Sequence, residues 1–244
     1  MGKNDCKVMV TGEKSIRFQF GNRLDEETYQ KVREFSKLVT EDSSFLIEEI
    51  VPSYHTVTVY LKKEQRNIDE IIARYVKKWR ERKSSKSEGS IRKLTIPVCY
   101  DEEFGWDLER VAEHTGLTVK EIIDRHTKPI YTVYMIGFLP GFSYLGKLDE
   151  NLTTPRLATP RLKVLKGAVG IGGSQTGIYP LESPGGWNII GKTPLELYRL
   201  DRDPPFFIEA GDRLRFVSIP KREFYEIKQR MEADSSTISE FIAD

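Results

Sequence analysis

Apolar residues in the first 83 positions follow strand-like and helix-like patterns. Ile16, Phe18 and Phe20 alternate with polar residues, which predicts a half-buried strand. Asp25 can cap a helix that runs to about Val39. Two strand-like runs follow, "FLIEEIVPS" and "TVTVYL", and then a second helix with an Asn67-x-x-Glu70 start. The order strand-strand-helix-strand-strand-helix predicts a small α/β domain.

A different pattern begins near residue 91. "LTIPV" predicts a strand, and Asp107 and Gly116 bracket a short helix. Thr118 and Glu121 form a capping box for another helix, which ends near His126. Beyond that point the chain consists of short apolar runs separated by Gly and Pro, a pattern typical of an all-β barrel or sandwich.

These patterns divide the chain into four parts. We predict an α/β domain over 1–83, a polar, Ser-rich linker over 84–90, a β domain over 91–220 and a helical tail over 221–244. The fold class is therefore α+β. The basic face of the second helix is best explained as a solvated surface, because an acidic residue interrupts it and no aromatic platform accompanies it.

The overall charge excludes several partners. Lys plus Arg total 38 against 37 Asp plus Glu, a net charge of +1. Such a balance predicts neither nucleic-acid binding nor attraction to an anionic membrane. The chain shows no secretory signal and no uncharged apolar run near the ~18 residues that a membrane-spanning helix needs, so we expect a cytoplasmic protein with two reduced cysteines.

One segment matches the expression for a phosphate-binding loop. "GWNIIGKT" runs from Gly186 to Thr193 and fits G-x-x-x-x-G-K-[ST]. A phosphate loop needs a helix that opens at the Gly-Lys-Thr, and Pro194 disfavours helical backbone at Thr193. We therefore interpret the match as coincidental and predict no nucleotide site there.

The candidate acid–base and anion-binding residues are few. The histidines have no metal-ligand spacing, so no metal is predicted on this chain. His126 is the candidate acid–base residue, although a structural role near a helix end is its default interpretation. "TPRLATPR" places Arg156 and Arg161 on one stiff segment, where they suit an oxyanion or are simply solvated.

The ordered series "GFLPGFSYLG", "TPR", "GGSQTGIYPLESPGGWNIIGKTPLELY" and "PPFFIEAGDRLRF" resembles the family of the 5-oxoprolinase B subunit. That family is also called allophanate hydrolase subunit 1 and includes the kinase inhibitor KipI. The resemblance implies a cyclophilin-like closed β-barrel after an N-terminal α/β domain. It also implies an ATP-dependent opening of 5-oxoproline to L-glutamate together with subunits A and C.

The alternative implied by the same resemblance is a KipI-like inhibitor that binds the dimerisation domain of a sensor histidine kinase. The sequence leaves these two functions open, and also which subunit binds ATP. In either case, the glycine-rich stretch would project a set of side chains into a groove with Arg156 and Arg161 at its rim: Gln175, Tyr179, Ser183 and Trp187. Aromatic residues around Pro140-Gly141 could wall that groove: Phe138, Phe142 and Tyr144. The competing interpretation is that the glycines only turn barrel corners.

Overall fold

The computed structural model describes residues 6–23, 25–62, 67–82, 91–146 and 148–243. The chain separates into two compact units, Met1–Glu88 and Gly89–Asp244. The predicted linker over 84–90 lies outside the described residues.

The first unit is an antiparallel sheet with two helices. In chain order its elements are β1 Lys7–Gly12, β2 Ser15–Gln19, α1 Glu26–Thr40, β3 Ile47–Pro52, β4 Thr56–Leu61 and α2 Ile68–Glu81. The strands lie in the order β1-β2-β4-β3. Asp25 and Asn67 cap the two helices through their side chains, which confirms both predicted helix starts.

Both helices of this unit bury aromatic residues against the sheet. Phe35 of α1 lies 4.6 Å from Phe18 of β2, and Trp79 of α2 lies 5.6 Å from Phe35, measured between ring centroids. The cations of α2 are partly engaged in ion pairs, since Arg74 and Lys78 both bind Asp42. These contacts explain part of the basic face without an external partner.

The second unit contains most of the strands. Its elements are β5 Lys93–Val98, α3 Leu108–Thr115, α4 Val119–Thr127, β6 Tyr131–Ile136, β7 Ser143–Gly146, β8 Arg161–Val164, β9 Ala168–Gly172, β10 Gln175–Ile178, β11 Ser183–Gly185, β12 Asn188–Lys192, β13 Arg213–Ser218, α5 Lys221–Ala233 and β14 Ile242–Ala243, with 3₁₀ turns at Glu150–Leu152 and Ser235–Phe241. Eight strands form one sheet in the order β12-β9-β10-β7-β6-β13-β5-β14, and β8 pairs with β11.

The mixed α+β class is confirmed, but the predicted closed barrel is not supported. The sheet has β12 and β14 at its two edges. Closure would require β12 to pair along the free side of β5, and β14 occupies that side opposite Lys93 and Leu94. An isolated bridge between Cys99 and Lys192 joins the two ends of the sheet beyond β5. The outer side of β5 therefore pairs with β14, and the residue after β5, Cys99, pairs with Lys192 of β12.

The C-terminal segment also differs from the expected helical tail. Helix α5 buries Phe224, Ile227 and Met231, the three apolar residues with helical spacing. After α5 the chain returns to the sheet as β14. Helical periodicity could not predict this return, because a two-residue strand has no period of its own.

Candidate functional site

An aromatic groove of about 300 Å³ opens on the second unit. Its residues come from the loop after β6, from β7, from the Thr-Pro-Arg segment, from the residue after β10 and from β11 with the turn into β12. They are Phe138, Phe142, Tyr144, Arg156, Pro160, Tyr179 and residues 184–187. Arg156, Tyr179 and Trp187, three of the side chains predicted from the sequence, thus lie together in what we call the aromatic groove.

The aromatic rings of the groove walls pack against one another. The Phe142 ring lies 5.0 Å from Tyr179 and 5.4 Å from Trp187, both edge to face. Tyr179 and Trp187 are almost completely buried. Burial raises the pKa of the Tyr179 hydroxyl, while the nearby backbone of Trp187 acts in the opposite direction.

The glycines of this region make room for those rings. A Cβ added at Gly172 would lie 2.5 Å from the Trp187 indole, and one at Gly185 would lie 2.5 Å from the Tyr179 oxygen. The strand backbone at these positions is therefore in direct contact with an aromatic side chain. The glycines serve the packing of the groove walls.

Phe138 forms the exposed lip of the groove. It is 66% exposed, and its ring lies 5.7 Å from Phe142. Its φ of 68° is unusual for a bulky residue, and such backbone strain is concentrated at functional sites. The sequence names Phe138 as a possible wall, but it contains no signal of this conformation.

The two Thr-Pro-Arg arginines do not lie together at the rim. The Arg156 guanidinium is exposed and stacks 5.6 Å from the Trp187 ring centroid. Arg161 instead forms a bidentate pair with Asp107, with N–O distances of 2.9 and 2.6 Å. Asp107 is therefore not a side-chain cap of α3, because its carboxylate binds Arg161 and also accepts the Ile189 N–H.

The remaining two groove candidates, Ser183 and Gln175, do not line the groove. Ser183 begins β11 and is buried, and it precedes the lining residue Pro184. Gln175 begins β10 and pairs with Gly172 in the sheet. Neither residue is among those that line the groove.

His126 is fully buried in the core of the unit. Its Nδ1 lies 2.7 Å from the Tyr100 hydroxyl and its Nε2 lies 2.8 Å from Thr176 Oγ1. Thr176 donates its own proton to the Gly170 carbonyl, so Nε2 carries the ring hydrogen and Nδ1 accepts from Tyr100. Burial lowers the pKa of His126 to about 3. The ring is thus a neutral bridge between core elements.

The phosphate-loop match lacks the structure that the motif requires. Asn188–Lys192 is strand β12, and the described chain after Lys192 continues through Pro194 without a helix. The residues of this segment do not fit the binding of a nucleotide phosphate chain.

Two other kinds of feature are missing from the described part of the chain. No group of three or more His, Cys, Asp or Glu side chains there is arranged to hold a metal ion. Among the same residues, none of the helices combines the length and apolar character needed to cross a bilayer.

Comparison with known sequences identifies relatives over most of the chain. A family model described as carboxyltransferase domain, subdomain C and D, matches residues 6–208. A Bacillus subtilis protein, named as the B subunit of 5-oxoprolinase, is 36% identical over 240 residues, which cover 91% of this chain and 97% of that protein. A Haemophilus influenzae protein with the same name is 50% identical over 147 residues, or 60% of this chain and 68% of the relative.

Two of the similar solved structures are longer proteins. The crystal structure of TTHA0988 is 32% identical with a TM-score of 0.72, and the match covers 84% of this chain and 40% of that one. Kluyveromyces lactis urea carboxylase matches with a TM-score of 0.76 at 14% identity, over 97% of this chain and 26% of the enzyme. The second likeness shows a shared fold alone.

Proposed function

Because the chain belongs to the carboxyltransferase subdomain C and D family, we propose that it is the B subunit of a 5-oxoprolinase. The observation that carries this proposal is identity of 36% to 50% with relatives of that name, one of which is matched over almost its whole length. The activity would be the opening of 5-oxoproline to L-glutamate.

The KipI-like alternative has less support. Three relatives are named as the B subunit of 5-oxoprolinase. The aromatic groove with its exposed Phe138 would also suit an apolar anchor of a kinase dimerisation domain, so this second function is kept as an outcome of the test below.

The proposed enzyme is assembled from this chain together with subunits A and C, and it uses ATP. Opening an unstrained amide adds water across a C–N bond, and ATP supplies the driving force when it is bound. The Gly186–Thr193 segment does not fit a nucleotide, so we route no step of ATP chemistry through it. A site completed by other subunits, in the cytoplasm where ATP is available, agrees with these features.

The contribution of this chain would be to bind the cyclic substrate in the aromatic groove. The Arg156 guanidinium can pair with a carboxylate, because no carboxylate of the described residues lies within 4.0 Å of it. The partly buried ring of Tyr144 and the exposed ring of Phe138 would contact the flat lactam ring and keep water from it. Gln175 and Ser183 remain predicted contacts at this site, whereas Arg161 would act by holding β8 in place.

Reconstitution tests the proposed function. We expect no glutamate formation from 5-oxoproline and ATP by this chain alone, and turnover when subunits A and C are added. Binding of a sensor histidine kinase dimerisation domain is measured in parallel. Turnover by the lone chain would contradict the shared site, and kinase binding that is lost in Phe138→Ala, with no turnover in the full mixture, would favour the inhibitor.

A further inference from the structure

Lys192 lies in a second cleft, of about 250 Å³, lined by other residues than the aromatic groove. The cleft is formed by the turn before β9, the segment after β12 and one face of α5. Its lining includes Lys166, Lys192, Leu195, Phe224, Lys228 and Met231. Three lysines thus contribute to one small cleft.

The backbone at Lys192 is held on both sides. Lys192 pairs with Ala168 of β9, and it exchanges two hydrogen bonds with Cys99, with N–O distances of 2.9 and 3.0 Å. Gly167 packs against the lysine stem, since a Cβ there would lie 3.4 Å from Lys192 Cγ and 2.6 Å from the Thr193 carbonyl. The position of this side chain is therefore set by the sheet and by Gly167.

The other lysines of the cleft are already neutralised. Lys166 forms an ion pair with Glu196, and Lys228 lies 3.8 Å from Glu232. The third carboxylate of the lining, Glu182, is bound by Lys163 at 2.8 Å. Each acidic side chain of the cleft thus has its own cation.

Lys192 has no such partner within the described residues. No carboxylate there lies within 4.0 Å of its ammonium group. Its Nζ lies 5.7 Å from the Phe104 ring centroid, and the nearby Glu103 is bound by Lys221 and Tyr225. Burial first, and then the charges of Lys228 and Lys166, lower the pKa of Lys192, while Glu103 acts in the opposite direction.

A half-buried ammonium without a counterion is unfavourable, and an external anion would remove that cost. We propose that this cleft binds a small oxyanion, a phosphate or a carboxylate, through the Lys192 ammonium group. Lys166 and Lys228 flank the site, each paired with its own carboxylate. A lysine acts here as a point charge, without the convergent backbone N–H groups that a nucleotide phosphate chain requires. Binding of such an anion does not depend on the reaction in which the chain takes part.

Lysine labelling on the full wild-type chain tests the site directly. Reductive methylation is quantified at each lysine by mass spectrometry in potassium phosphate, potassium acetate and potassium chloride of equal ionic strength. At an anion concentration ten times its Kd, about a tenth of the sites are free, so labelling of Lys192 should fall about tenfold. Lys120, an exposed lysine of α4, provides the internal reference.

Protection of Lys192 by phosphate alone would assign the site to phosphoryl groups, and protection by acetate as well would assign it to oxyanions in general. Equal labelling in all three salts, or protection only where Lys120 is also protected, would overturn the proposal.

A pair of variants provides a second measurement. Phosphate or acetate should raise the unfolding midpoint of the wild type and of Lys120→Met above the value in chloride. The same salts should raise the midpoint of Lys192→Met by less, because this variant keeps the apolar stem, removes the charge and retains only the general salt effect. An equal rise in all three proteins would contradict binding at Lys192. If Lys192→Met does not fold, the labelling of the wild type still decides.

Discussion

Arg156 and Arg161 end two copies of the same Thr-Pro-Arg tripeptide, yet they lie in different environments. Arg161 binds both oxygens of the buried Asp107, whose carboxylate also accepts a backbone N–H. Arg156 lies over the Trp187 ring at the mouth of the aromatic groove. One guanidinium completes a network inside the fold, and the other has no hydrogen-bond or ion-pair partner among the described residues, so its donors can bind a ligand.

The neighbouring Asn188 shows what a completed network looks like. Its amide nitrogen donates to the carbonyls of Pro155 and Ile171, and its oxygen accepts from Arg110. These bonds connect β12 to α3, to the Thr-Pro-Arg segment and to β9, so removing one partner leaves a buried polar atom unsatisfied. We therefore expect the network of Arg161, Asp107 and Asn188 to govern stability, and Arg156 at the aromatic groove to govern binding.

The largest effect is expected for Arg161→Ala. This substitution leaves the Asp107 carboxylate, which is only 5% exposed, without its cation, and it should lower the free energy of unfolding by about 3 kcal/mol. Denaturant unfolding followed by tryptophan fluorescence measures this loss. If Arg161→Ala lowered the free energy of unfolding by less than Arg156→Ala does, the structural role assigned to Arg161 alone would be wrong.

Arg156→Ala should leave the fold intact and reduce activity. Loss of a charged hydrogen bond to a substrate carboxylate costs about 1.5–3 kcal/mol, or roughly ten- to a hundredfold in turnover of the assembled enzyme. Stability should change by no more than about 0.5 kcal/mol, as for other surface substitutions. Arg222→Ala, at an arginine whose side chain is 89% exposed, is the matched control. Unchanged turnover in Arg156→Ala would exclude the groove from substrate binding.

Gly172→Ala tests whether the groove walls depend on contact between glycine and indole. The added methyl group would collide with the Trp187 ring, and overpacking of this kind costs about 1–3 kcal/mol. Gly173→Ala is the control, because its Cβ would meet no atom within 4 Å and its φ of 65° costs only about 1 kcal/mol. Trp187 is a natural fluorophore, so only Gly172→Ala should change the emission of the folded protein. Identical spectra for both variants would show that the glycine serves the turn alone.

The smallest effect concerns pH and the buried His126. Its pKa is about 3 in the folded protein against 6.5 for an ordinary histidine, so between these values the unfolded chain binds a proton that the folded chain does not. Stability is therefore lost as pH falls below 6.5 toward the folded-state pKa. His126→Asn should show a shallower fall of unfolding free energy between about pH 6 and about pH 4. A slope equal to that of the wild type would mean that other groups cause the acid sensitivity.

Local patterns were sufficient for the helices. Asp25, Asn67 and the Thr118–Glu121 box begin α1, α2 and α4 where the sequence predicts them, because a cap and its first turn lie within four residues. The failure of the phosphate-loop match was also predictable, since Pro194 acts on the residue directly before it. The ordered motifs of the second unit identified the family.

Local sequence patterns could not predict contacts between residues that are distant in the sequence. Nothing local indicates that Arg161 binds Asp107, 54 residues earlier, or that the last strand covers the edge of β5. The sequence determined which aromatic side chains and arginines could form a groove. The tertiary structure decided which of the two arginines remains available to bind a ligand. It also decided that no carboxylate of the described residues lies within 4.0 Å of the Lys192 ammonium group. The reason is that ion pairing depends on how strands distant in sequence meet in space.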